Sequence, residues 1–403
     1  MRAPEVRALA AAAARDLDGF ASDMYAHIAA HVPESHTDEE IAALTLASCA
    51  SNIQALLSMI RHGIALSATE APVAALEHAR QMAARGIGVD ATLRFYRYGQ
   101  AYFFERMSHE FVGAIGDRDE LAAALRETAG FIAGYVDRVS SRVSAELLAE
   151  RDRRLRRTAV LRAEVVRALL AGERVDLAAA ERTLAHALTP PQLALLCWTD
   201  GDGRALERAA AVAADAAGGG RPLLLAEGPR TLAVWVVAGA GEPAGLRGAL
   251  AEAAPEVHVA LGAVAAGPAG FRRSREQADR ARRIAELSGA RAPSLTRYGD
   301  VALVDLLTGD LSAARAFVRA ELGALAADDP ATRRLREALL AVVAPRGGLA
   351  SAARSLGLHR NTVLQRVRRA EQMLGHDAQE RPSELHAALL LAAALGEAIL
   401  AEG

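Results

Sequence analysis

The stretch LASAARSLGLHRNTVLQRVRRAEQMLG, residues 349–375, decides how this chain is read. Between Leu349 and Ala370 it holds five arginines and no carboxylate, in a chain of 403 residues whose formal net charge is −2. It divides about a glycine. Gly347 and Gly348 precede a first helix, residues 349–355. Leu356, Gly357 and Leu358 form a turn in which glycine can take a positive φ. A second helix starts at residues 359–361, with Asn361 the expected cap, and ends near Leu374 before Gly375. Two helices about a short glycine turn make a helix-turn-helix. Ala352 and Ala353 are small enough for the second helix to cross closely, and Leu349, Leu356 and Leu358 fill the corner.

On a wheel of about 100° per residue, Val363, Val367, Ala370 and Leu374 share one face of the second helix. Asn361, Gln365, Arg368 and Gln372 share the opposite face, flanked by Thr362 and Arg369. Amides suit adenine edges and guanidinium suits guanine. Arginines also draw phosphates in a salt-dependent way. His359 and Arg360, at the helix start, are placed for phosphate. Arg366 lies about 70° from the centre of the core face and is expected either to touch DNA or to brace the helix as an ion pair. A merely solvated basic face would not require the turn glycine, the paired alanines and the missing carboxylates together. The expected DNA-binding set is His359, Arg360, Asn361, Thr362, Gln365, Arg366, Arg368 and Arg369.

Working outward, the chain is 52% hydrophobic but only 4% aromatic. Alanine supplies much of that apolar fraction, which favours helix. Every basic side chain besides histidine is arginine. Cys49 and Cys197 match no metal or redox spacing, as in a reduced cytoplasmic protein. The N-terminal ALAAAAA is short and soon followed by Arg15 and Asp16, unlike a signal peptide. The apolar run AALLLAAALG (residues 387–396) is too short to span a membrane.

Residues 1–149 show helical periodicity and little strand signal. Turns are expected at residues 31–40, 85–90 and 116–120, with a capping box over residues 37–40. In RFYRYGQAYFFERM (residues 94–107), Phe95, Tyr96, Tyr98, Tyr102, Phe103 and Phe104 cover more than one face. That helix is expected at the centre of an all-α domain, its rings in the core or lining a ligand pocket. Residues 137–173 read as a long amphipathic helix joining two domains and able to mediate a dimer.

From about residue 190 the period changes. Residues 192–199, 221–227, 231–238 and 256–264 read as strands, the middle two a hairpin around Gly228, Pro229 and Arg230. Helices are expected over residues 204–217, 244–253 and 274–289, giving an α/β sandwich. The turn Thr199, Asp200, Gly201, Asp202, Gly203 could hold a phosphate or, through Asp200 and Asp202, a divalent metal. It is neither a P-loop nor a dinucleotide fingerprint, and a plain strand-to-helix turn accounts for it.

The order of elements resembles the ferredoxin-like core of nucleotidyl and diguanylate cyclases. The hairpin tip here is Glu227, Gly228, Pro229, Arg230, without that class's Gly-Gly-Asp/Glu-Glu-Phe signature. The tail resembles the C-terminal helix-turn-helix of the PucR/CdaR family of bacterial transcriptional regulators. Ala352, Ala353, Leu356, His359, Arg360, Asn361, Thr362, Val363, Arg366, Val367, Arg369, Glu371, Leu374 and Gly375 follow the family's run. Gln365 stands where that family usually has tyrosine, so base preference does not carry over. The N-terminal segment around RGIGVDATLRFYRYGQAYFFERM, residues 85–107, is similar to helical sensor-like domains of actinobacterial members.

The resemblance implies a multidomain, mostly α protein. Its parts are a helical sensor-like domain (1–149), a linker helix (150–173), a degenerate cyclase-like α/β ferredoxin-like domain (174–300) and a helical tail (301–403) with the helix-turn-helix at 349–375. It implies a cytoplasmic, non-enzymatic regulator of transcription that binds double-stranded DNA as a homodimer or higher oligomer. A small-molecule effector is expected, and no metal, cofactor or membrane. Two alternatives stay open: a nucleotide-binding or cyclase-like enzyme using Asp200 and Asp202, and a scaffold acting through protein partners.

Overall fold

The structure is a computed structural model describing residues 4–239, 241–345 and 347–401. The chain forms two compact units, Met1–Val160 and Leu161–Gly403. Helices dominate both ends, and a small sheet lies in the middle.

The first unit is all-α. It holds α1 (Pro4–Ala13), α2 (Leu17–His31), α3 (Glu39–His62), α4 (Val73–Ala84), α5 (Val89–Ala114) and most of α6 (Arg118–Ala171). The capping residue of α3 is Asp38, not Thr37: its carboxylate accepts the N–H of Ile41 at 2.8 Å. α6 is 54 residues long and begins well before the expected residue 137. Asp117, read as part of a turn, accepts the N–H groups of Asp119 and Glu120 at 2.9 Å and so opens the helix. α3 is long and apolar enough to cross a membrane by length and composition, but half of its most apolar window is buried.

The aromatic helix, α5, supplies the core with Phe95, Tyr96 and Phe103. Tyr98, Tyr102 and Phe104 pack partly buried against the same core. Phe95, Tyr96, Phe103 and Tyr135 surround a cavity of about 30 Å³. That holds little more than a water molecule, so these rings are core.

The second unit contains the end of α6, then α7 (Leu177–Leu184), β1 (Pro191–Trp198), α8 (Arg204–Ala216), β2 (Leu223–Gly228), β3 (Thr231–Val237), α9 (Leu246–Ala253), β4 (His258–Leu261), β5 (Ala265–Ala266), α10 (Gly267–Ser288) and β6 (Leu295–Arg297). Strand order is β2-β3-β1-β4-β6, with β5 on β1. β1 runs antiparallel to β3 and β4, β2 to β3, and β6 runs parallel to β4. The first four strands thus have ferredoxin-like order. Alternation divides them between two faces. Leu193, Leu195 and Cys197 pack with α8 and α9; Ala194, Leu196 and Trp235 pack with α7 and α10. α10 starts seven residues before its expected position, where Pro268 suits a first turn.

The tail follows as α11 (Tyr298–Leu307), α12 (Leu311–Leu322), α13 (Pro330–Val343), α14 (Leu349–Leu356), α15 (Arg360–Leu374), α16 (Pro382–Leu395) and α17 (Glu397–Leu400). Leu339 of α13, Ala352 of α14, Val363 and Ala370 of α15, and Leu389 of α16 share one core, which also takes in Ile284 of α10 and Val304 of α11.

Candidate nucleic-acid interface

α14 and α15 form the helix-turn-helix. Gly357 has φ +64°. The Leu358 N–H reaches the Ala353 carbonyl at 2.9 Å and the Gly357 N–H that of Arg354 at 3.3 Å. This pair of bonds is a Schellman closure, which needs the left-handed residue at its centre. Ala352 is 1% exposed, so the crossing is as tight as its size allows. Leu349, Ala353, Leu356 and Leu358 pack partly buried on the same core.

The cap of α15 corrects the expectation. Arg360 is the first helical residue and His359 the N-cap. Its backbone is extended (φ −70°, ψ 144°), and its Nδ1 accepts the Asn361 N–H at 3.3 Å. The imidazole takes the orphan donor a short polar side chain would otherwise hold. Asn361 is therefore inside the first turn, with its amide exposed.

Val363, Val367 and Ala370 are buried and Leu374 partly so. Asn361, Gln365, Arg368 and Gln372 are exposed, each two positions from a core residue and so on the far side of the helix. Arg369 is exposed and donates to Gln372 at 3.2 Å; Thr362 and Arg366 are half-buried. Among the described residues Arg366 has no ion-pair partner, so the bracing pair considered for it is absent; no carboxylate lies within reach on its own helix face. Arg354, Arg360 and Arg368 are likewise exposed without an ion pair among the described residues. Arg354, on α14, was left out of the sequence-derived set; the same run of uncompensated arginines marks it. The exposed face of α15 is thus a row of amides flanked by guanidinium groups free of ion pairs among the described residues.

The middle domain disposes of its acids differently. Glu227, at the hairpin tip, accepts Nη2 of Arg275 at 2.9 Å. Arg275 is buried, also bonds Asp279 at 3.0 Å, and lies over the Trp235 ring. Asp202 accepts the Arg204 N–H at 3.1 Å as a turn residue. Among the described residues no three His, Cys, Asp or Glu side chains group to hold a metal ion. Both cysteines are buried, which pushes their thiols up to about 12, far from a reactive thiolate.

A helix-turn-helix with this free basic face belongs to a DNA-binding regulator of transcription, and comparison with known families agrees. Residues 335–393 match the PucR C-terminal helix-turn-helix domain, residues 170–284 the GGDEF-like domain, and residues 18–162 the RsbT co-antagonist protein rsbRD N-terminal domain. Together these give the chain the architecture of the PucR-type regulators. A solved structure, a regulator of polyketide synthase expression from Bifidobacterium adolescentis, is 20% identical, covers 57% of this chain and 91% of its own, and has a TM-score of 0.31. No curated protein matches significantly.

Proposed function

We propose that the chain is a cytoplasmic, effector-responsive regulator that reads the major groove with α15. Asn361, Gln365 and Arg368 meet base edges, with Thr362 and Arg369 beside them. His359, Arg360 and Arg366 hold phosphates. The observation that carries this is the exposed row of amides and unpaired arginines, with the apolar side of the same helix fixed in the tail core. One such helix covers few base pairs, so specific binding takes a homodimer or larger assembly on half-sites about 10 bp, or a multiple, apart. Residues 1–149 act as the sensor-like part, 150–173 as linker, 174–300 as a non-enzymatic cyclase-like domain, and 301–403 as the DNA-binding tail. The commitment of Glu227 to Arg275 supports the non-enzymatic reading.

The test is selection of bound duplexes from a random pool by the full-length protein. A paired motif is expected. Salt-sensitive binding with no enriched sequence in any condition would refute sequence-specific regulation.

A further inference from the structure

We propose that a recess at the Trp198 end of the sheet binds a small acid carrying a flat ring. The recess has a volume of about 520 Å³, within the usual size of small-molecule sites. Its floor is made by strand register. Trp198 of β1 is paired with Thr231 of β3 on one side and His258 of β4 on the other. All three point to the α10 face. The last turns of α10 and the 3₁₀ turn Gly289–Arg291 that follows it form the opposite wall. Ala285, Gly289, Ala290 and Ala292 are too small to fill the space between.

The walls offer three kinds of contact. Trp198 is half-buried, with the His258 ring stacked at 5.5 Å and the Arg282 guanidinium 5.3 Å from its centroid. This is a flat, polarisable surface suited to another ring. Arg282 is already paired with Glu286 at 2.7 Å, so it offers orientation more than net charge. Arg230, at the mouth, is exposed and has no side-chain partner among the described residues. It is free to take a carboxylate or phosphate. Asp200, also at the mouth and without a side-chain partner among the described residues, can accept N–H or O–H donors on the ring. The recess lies under α10, on the face of the sheet away from α8, and so differs from a phosphate site at the start of α8.

The turn that closes the recess also reaches the tail. Arg291 donates to Asp328 at 3.4 Å, just before α13. Its guanidinium lies over Gly396, at the end of α16, where any Cβ would overlap it. An occupant pressing on Gly289, Ala290 and Ala292 would therefore act on a side chain anchored at the ends of α13 and α16, which share one core with α14 and α15. This coupling rests on the effector-responsive reading; the site itself does not.

Fluorescence of the full-length protein tests it. Trp235 is fully buried and Trp198 half-buried, so acrylamide-accessible emission reports Trp198. The probes are adenosine and guanosine monophosphates and 4-hydroxybenzoate, with inorganic phosphate and neutral adenosine as controls. Saturable protection by a ring-bearing acid, but not by either control, is expected. Arg230→Ala should weaken it about tenfold, and Ala290→Leu, at an exposed position, should abolish it with the circular-dichroism melt unchanged. No protection by any ring-bearing acid overturns the site, as does binding indifferent to both variants. Binding that leaves operator affinity unchanged overturns the coupling and keeps the site. Absence of specific DNA binding both with and without the ring-bearing acids would strike the regulator reading alone.

Discussion

His78 and Thr45, on α4 and α3, are joined by a buried hydrogen bond of 3.1 Å between Nε2 and Oγ1. The Thr45 hydroxyl has one proton, and the carbonyls of Ser35 and Ile41 each lie 2.8 Å away to accept it. The imidazole must then donate through Nε2–H. Burial pushes its pKa down from 6.5 to about 4, so it is neutral in the fold.

A pH dependence follows. Between 6.5 and about 4 the unfolded chain binds a proton at His78 that the folded chain does not. Stability of the first unit is therefore full above 6.5 and falls as pH drops through that window. At about 1.4 kcal/mol per pH unit the loss approaches about 3 kcal/mol. Hydrogen exchange at α3 and α4 as a function of pH measures it. His78→Gln should flatten this part of the profile; an unchanged profile would mean that His78 is protonated in the folded state.

DNA binding should separate by residue. Arg360→Ala is expected to weaken all sequences alike and lower the salt slope by about one. Gln365→Ala and Arg368→Ala should each cost about 1–3 kcal/mol on the preferred sequence and relax single positions. Binding isotherms on selected and scrambled duplexes at several salt concentrations distinguish the two behaviours. Equal losses on both duplexes for Gln365→Ala would show that it does not read bases.

The helix-turn-helix was legible because its signals are local: a glycine where φ must be positive, small residues at a crossing and two faces of opposite chemistry. The four main strands were legible from a change of period. β5 and β6 were not, because two or three residues carry no alternation. The cap of α15 was misread because propensity favours asparagine, whereas backbone geometry at His359 decided it. Trp198, Arg230, His258 and Arg282 share no spacing; only strand register and the path of α10 bring them together.

Gly357 tests the turn. At φ +64° a Cβ is strained although nothing obstructs it. Gly357→Ala should destabilise the tail by about 1–2 kcal/mol and reduce affinity for specific and non-specific DNA together. Thermal melting in parallel with DNA titration checks this. A variant that melts normally yet loses specific binding alone would place Gly357 at the DNA contact instead.

Glu227 tests what the middle domain is for. If the hairpin acid served a metal, its loss would abolish a metal response and leave stability nearly intact. Its bond to buried Arg275 predicts the reverse. Glu227→Ala leaves the guanidinium with Asp279 among the described residues and, because Glu227 itself is exposed, should destabilise the domain by about 1–2 kcal/mol, the scale of one hydrogen bond to a charged group. Arg275→Met with Glu227→Leu removes both charges and should recover much of that loss. The double variant melting above Glu227→Ala, with magnesium shifting neither them nor the wild type, assigns Glu227 to the scaffold. A magnesium-dependent rise in melting temperature, lost in Glu227→Ala, would restore the catalytic reading.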